Sequence, residues 1–125
     1  MATRLNRAPV WLKGVEKHDF AAAESYLSLH FEPKLARRYA KALRAAKPSR
    51  FKAKDIFRAS GLSLLGVSNS HVEKDRVKIR QGKALSPILL VRDGVHGRVV
   101  IADGYHRLCA VYGVDEDALI PCRIV

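Results

Sequence analysis

Asp103, His106 and Arg107 bring an acid, an imidazole and a guanidinium into five residues, with Gly104 and Tyr105 between them. Arg107 stays charged and can fork two N–H bonds onto a phosphate. His106 can donate one more. Gly104 lets the chain pass close to a bound group with no Cβ in the way. Asp103 is the odd member, because an acid repels a phosphate unless a metal or a hydroxyl lies between. It therefore points to Mg²⁺ at the phosphates or to a general base for an acceptor hydroxyl. Each residue also has a plainer use. Asp103 suits a turn that bonds its own backbone, His106 a hydrogen bond to a loop carbonyl, and Arg107 an ion pair with an acid of the body.

The flanking sequence supplies elements to position these groups. Arg98-Val-Val-Ile-Ala102 is apolar and β-branched, of strand character, and Leu108-Cys-Ala-Val-Tyr112 reads as a helix closed by Gly113. The order is strand, tight Gly turn, helix. A helix starting at a strand end aims its free N–H groups and positive dipole end at whatever sits there. An anion, most often a phosphate, suits that position, so the backbone N–H groups of Tyr105 to Arg107 join the candidate site. A second wall is expected from a helix running from about His71 to Gln81. There His71, Lys74 and Lys78 fall at i, i+3 and i+7, on one face. Val72 and Ile79 point inward, with Asp75 or Arg76 partly covered between them. No serine lies in a nucleophile-elbow pattern. The histidines at 18, 30, 71, 96 and 106 lack the spacing of zinc ligands.

The remaining chemistry is electrostatic. The chain carries 23 Lys and Arg against 12 acids, a formal net charge of +11. Polyanions are the expected partners: nucleic acid, nucleotides or an acidic protein face. The densest source is residues 34–54, with nine Lys and Arg and no acid before Asp55. A helix from Lys34 to about Lys47 places Leu35, Tyr39, Leu43 and Ala46 inward. Lys34, Arg37, Arg38, Lys41 and Arg44 stand off that stripe. No Glu–Lys pairing at i,i+4 relieves the repulsion. The row reads either as a solvated face or as contacts to nucleic-acid phosphates.

At 125 residues with 48% hydrophobic content, one domain with one core is expected. Pro9 and Gly14 bracket Val10-Trp11-Leu12 in an arm over residues 1–14, with Trp11 read as an anchor packed on the body or, as the alternative, a stacking platform for a base. Asp19 reads as the N-cap of a helix from Phe20 to about His30, which Glu32-Pro33 ends. Phe51 to Ser60 reads as a short helix with Gly61 at its C′ position. Leu62 to Val67 is a core-entering loop or short strand, and Ser68-Asn-Ser70 a turn and cap cluster. Ile88 to Val91 is an apolar strand, Arg92 to Gly97 a hairpin with an Asp-Gly turn, and Val99 to Ile101 the return strand. Ile120 to Val125 is a last strand, which Pro121 places at its start or at an edge. The fold class is α/β (α+β): a small mixed sheet with flanking helices. Residues 1–61 are expected as a helical N-terminal extension packed on a 62–125 body. Cys109 and Cys122 read as buried small apolar residues in a reducing cytoplasm. No run suits a membrane span or a signal peptide, so no membrane partner is expected.

Three blocks, Leu85-Ser-Pro-Ile-Leu-Leu-Val91, Ile101-Ala-Asp-Gly-Tyr-His-Arg-Leu-Cys-Ala110 and Ile120-Pro-Cys-Arg-Ile-Val125, together resemble the ParB/sulfiredoxin superfamily over about residues 64–125. The resemblance implies that Gly104, His106 and Arg107 occupy phosphate-binding positions of a nucleotide site. It also implies that His71, Lys74 and Lys78 lie on the helix face supplying further nucleotide contacts. A nucleoside triphosphate, ATP or CTP, is the implied cofactor, with Mg²⁺ at Asp103. Tyr105 stands where sulfiredoxins carry their cysteine, and Cys109 lies one helical turn further on, so sulfinic-acid reduction is not expected. The double-arginine box of partition proteins is missing, and the sequence as read stops at the last strand of the fold. The Asp-Gly-x-x-Arg form looks closer to ParB-like kinases that phosphorylate free serine, and to stand-alone ParB-like proteins. The expected function is nucleotide binding with phosphoryl transfer or nucleotide hydrolysis. The alternatives are a non-enzymatic nucleic-acid module using residues 34–54, or a phosphate-site remnant serving protein contacts.

Overall fold

A computed structural model describes residues 8–66 and 69–125. Residues 1–7 of the expected arm, and Val67 and Ser68 at the expected loop and turn, lie outside the described residues. The fold is mixed α/β. A four-stranded sheet runs in the order β2 (Ser49–Lys52), β6 (Leu119–Ile124), β4 (Ile88–Asp93), β5 (Arg98–Asp103). The β2–β6 and β4–β5 pairs are antiparallel, and β4–β6 is parallel. A separate parallel pair joins β1 (Val10–Trp11) to β3 (Ala84–Leu85). The helices are α1 (Lys17–Leu27), α2 (Pro33–Ala45), α3 (Ala53–Ser60), α4 (Ser70–Arg80) and α5 (Tyr105–Val114).

The apolar run Ile88 to Val91 is buried on both faces of the sheet, as such a run demands. Ile88 and Leu90 join a core with Ile56, Val72, Ile79 and Leu108 from α3, α4 and α5. Leu89 and Val91 join a second core with Phe20, Ala23, Leu27, Ala36 and Leu43 from α1 and α2. Two layers of helix thus sandwich one sheet. In the β4–β5 ladder Leu89 stands opposite Asp103 while Leu90 stands opposite Ile101, so Ala102 is the extra residue of a bulge. The far end of that hairpin is fastened by buried Asp93. It accepts from the His96 backbone N–H (3.3 Å) and Arg98 Nε (3.2 Å) and lies 2.8 Å from His96 Nδ1. Burial works to raise the Asp93 carboxyl, but its hydrogen bonds from His96 and Arg98 hold it below the ordinary range.

Several elements differ from their sequence reading. Asp19 does not cap α1: Glu16 takes the N-cap position, and Asp19 lies in the first turn, buried. Helix α1 ends at Leu27, and His30 stands exposed beyond it. On α2 the buried line is Ala36, Ala40 and Leu43, so the helix is rotated from the Leu35–Tyr39–Ala46 stripe. Pro33 begins this helix, a position where its missing N–H costs nothing. The segment 1–61 is not helical throughout: Ser49–Lys52 is a strand of the main sheet and Val10–Trp11 pairs with β3. Pro121 sits inside β6, a strand with neighbours on both sides. The β4 ladder begins only at Cys122, so one side of β6 is unpaired where the proline lacks its N–H. Gly61 closes α3 in the left-handed region (φ 67°), as its type suggests.

Candidate functional site

The bulge and Gly104 together set the β5–α5 turn. Gly104 has φ +107°, a conformation that strains any L residue. A Cβ there would also lie 2.8 Å from Ile88 Cγ1 and 2.9 Å from Arg107 Nη2. Both the backbone angle and the close approach of the guanidinium therefore demand glycine. Helix α5 starts directly after it with no side-chain cap, which leaves its first-turn N–H groups facing the turn.

Arg107 is the hub of the turn. Its Nη2 donates to Asp103 Oδ2 (2.9 Å) and the Pro87 carbonyl (3.3 Å), and reaches Asp19 Oδ2 at 3.5 Å. The Asp19 side chain is only 5% exposed, and those of Arg107 and Asp103 are each 18% exposed. Arg107 Nε is buried with no hydrogen-bond partner among the described residues. Burial raises the Asp103 carboxyl above the ordinary value, with the Asp19 charge adding to it, against the pull of Arg107. The cation thus holds two carboxylates and keeps one N–H in reserve.

Helices α4 and α5 bring the second wall to the turn. Asn69 caps α4, its Oδ1 accepting from the N–H groups of His71 (3.0 Å) and Val72 (3.2 Å). That cap sets His71 at the front of its helix, and its ring lies 4.9 Å from the His106 ring, centroid to centroid. A pocket of about 160 Å³ is lined by His71, Lys74, Asp75 and the Asp103–Arg107 turn. Lys78, one helical turn beyond Lys74, does not line it and stands exposed. Burial lowers the His106 pKa below 6.5, helped by the charges of His71 and Arg107 and opposed by Asp75. Burial raises Asp75, against Lys78, Arg107 and both histidines. The pocket therefore mixes firm cations, two carboxyls that ionise reluctantly and an imidazole that is neutral near pH 7.

A second pocket, of about 330 Å³, opens on the other side of the same turn. Ala22, Tyr26, Leu62, Ile101 and Ala102 line it together with Asp103 to His106. Its character is apolar, with an aromatic ring available. Tyr105 fastens the loop beside it by donating its hydroxyl to the Ser63 carbonyl. The Leu65 N–H points at Cys109 Sγ at 3.5 Å. Burial raises the pKa of both thiols, that of Cys122 to about 11, so both cysteines behave as core residues.

The basic row lies elsewhere. Lys34, Arg37, Arg38, Lys41 and Arg44 are all exposed on α2, and none lines either pocket at the turn. Asp19 and Tyr26 join the site although the sequence reading gave them no part in it. The clue for Asp19 was its place in the 19–23–27 row of α1, at i, i+4 and i+8 with buried Ala23 and Leu27. An acid on an apolar stripe needs a buried partner. Among the described residues no helix is long and apolar enough to cross a membrane, and no group of three His, Cys, Asp or Glu could hold a metal ion. The chain matches no known protein-family model, no curated protein and no solved structure.

Proposed function

We propose that this chain is a ParB/sulfiredoxin-like domain that binds a nucleoside triphosphate, ATP or CTP, across the β5–α5 turn. The observation that carries this reading is the pair of pockets sharing Asp103 to His106. One is apolar with Tyr26 at its wall, and the other holds Lys74, Arg107 and two histidines at an uncapped helix start. A nucleotide has that same division, a flat base at one end and phosphates at the other. Gly104 supports the fit, since a Cβ there would collide with Ile88 and the Arg107 guanidinium, and Arg107 Nε is a buried donor without a partner among the described residues. The phosphates would lie against the N–H groups of Tyr105, His106 and Arg107, with Lys74 and His71 from α4. Lys78 would contribute only its charge.

Asp103 and Asp75 both line that cradle, and Asp103 is the one held in the turn by Arg107. A lone carboxylate does not hold Mg²⁺, but one carboxylate plus phosphate oxygens does. Mg²⁺ would supply charge neutralisation there, and Asp103 would have to share itself between the ion and Arg107. Phosphoryl transfer or nucleotide hydrolysis is the reaction class this supports, because such chemistry needs mainly positioning and charge.

The test is calorimetric titration of ATP, CTP and GTP with Mg²⁺ into the wild type, His106→Ala and Lys74→Ala. At least one nucleotide should bind the wild type. His106→Ala should weaken it about tenfold, the worth of one charge-assisted bond, and Lys74→Ala by a similar factor. Both side chains are peripheral enough to leave the fold intact. Equal affinity in all three proteins would remove the turn from the function.

A further inference from the structure

The sheet face beneath α1 and α2 is not covered along its whole width. On β6, Ile120, Cys122 and Ile124 point into the opposite core, so Pro121 and Arg123 belong to the α1/α2 face by strand alternation. Arg123 Nη1 donates to the carbonyls of Leu43 (3.4 Å) and Arg44 (2.8 Å), which sets the end of α2 over that position. Two residues back along β6, roughly 7 Å, lies a groove of about 800 Å³ that, among the described residues, no helix residue lines. Its walls are apolar: Trp11, Leu12, Leu119 and Pro121. Lys13 and Arg50 supply its charge, and among the described residues no acid lines it. Arg50 stands directly opposite Pro121 in the ladder, on the same face.

The α2 row leads into this groove. Its five cations continue through Lys47 to Arg50, and none of the seven forms an ion pair among the described residues. The next two lysines differ: Lys52 and Lys54 both reach Asp117, at 3.9 and 2.6 Å. The unpaired stretch therefore ends where the chain supplies an acid. From Lys34 to Arg44 the row runs about 15 Å along the helix.

We propose that the α2 row and this groove form one surface for single-stranded nucleic acid, with phosphates along the cations and a base against Trp11. Charge complementarity selects a polyanion. The indole, partly buried against the α3/α4/α5 core yet lining the groove beside proline and leucine, selects one that carries flat apolar groups. Stacking platforms beside a positive track are how single strands are held without sequence preference. A duplex keeps its bases stacked inside and has nothing to place in the groove. An acidic peptide would satisfy the cations but brings no ring for the indole.

Trp11 is the only tryptophan, so its emission reports on the groove directly. The experiment titrates a short oligothymidylate into the whole protein, free of Mg²⁺ and nucleotide, and follows Trp11 fluorescence. Binding should quench the emission. Affinity should fall about 50-fold between 50 and 200 mM salt if four phosphates are contacted. Arg38→Glu/Lys41→Glu and, separately, Arg50→Glu should each weaken binding at least tenfold. All three side chains are exposed, and circular dichroism verifies that the variants keep their fold. No binding at 50 mM salt would overturn the proposal, as would binding that leaves Trp11 emission unchanged. Equal or tighter binding of a duplex of the same length, or of polyglutamate, would assign the surface to another occupant and overturn it too. Because no nucleotide is present, a negative result here leaves the β5–α5 turn untouched.

Discussion

Arg107 stabilises the turn by keeping two carboxylates satisfied in a poorly hydrated place. Arg107→Ala removes the one cation that Asp19 and Asp103 share. The loss of a largely buried partner costs about 3–5 kcal/mol. Urea denaturation should show that loss, and an unchanged midpoint would mean that the pairs do not persist in solution. For this reason Lys74 and His106 report on ligand binding more cleanly than Arg107 does. His106 carries the pH dependence. Burial, together with His71 and Arg107, pushes its folded pKa below 6.5. The folded protein thus holds that proton more weakly than the unfolded chain. His106 contributes stability above pH 6.5 that is lost as pH falls through the folded value. Asp75 and Asp103 act with the opposite sign. Their raised carboxyls contribute stability below the ordinary carboxylate value of 3.8, lost as pH rises through their folded values. Proton NMR should place the His106 midpoint below 6.5, and His71→Ala should move it upward. A midpoint that ignores His71 would separate the two rings. At this scale the sequence was informative where residues share one turn, as Asp103 to Arg107 do. For Asp19 it offered a place on an apolar stripe but not the partner, which lies 88 positions away.

Among the elements, those with strong local signals were legible and those defined by distant partners were not. The strand Ile88 to Val91, the Asp93-Gly94 hairpin and the Gly turn before α5 follow from periodicity and turn chemistry. Strand β2 was hidden because Ser49-Arg-Phe-Lys52 has one apolar residue in a basic run. It is a strand only because Leu119 to Cys122 pair with it. The rotation of α2 has a packing cause. Ala36 and Ala40 are fully buried, Ala36 in the same core as Ala23 of α1, and small side chains let two helices approach closely. A search for large apolar residues passes over such an interface. Helix α4 owes its start to Asn69, which also aims His71 at the pocket. Asn69→Ala should cost about 1 kcal/mol in denaturant unfolding. It should also weaken nucleotide binding, since the front of α4 frays with its cap. Loss of stability with unchanged affinity would show that the α4 wall is dispensable to the site.

For the molecule as a whole, the front half is woven into the back half. Strand β2 completes the sheet, β1 pairs with β3, and α1 supplies both a core and a carboxylate for the turn. No boundary near residue 61 is left to unfold on its own. Thermal unfolding followed by Trp11 emission and by far-ultraviolet circular dichroism should give coincident curves. An earlier transition in the Trp11 signal would show a separable front segment. The division of the charge is also a property of the whole: one neutral-to-basic recess at the turn, and one open basic track along α2. The bulge at Ala102 has a consequence for how such a site is kept. Residues facing each other across a ladder share a side, so Asp103, opposite Leu89, is carried to the side where Asp19 waits. One residue more or less in β5 reverses that parity while leaving the hairpin closed by Asp93 at its other end. Sequence length within β5 is therefore a coordinate of the site in its own right. A single-codon deletion there disarms the turn as surely as losing the arginine, without changing any of its residue types.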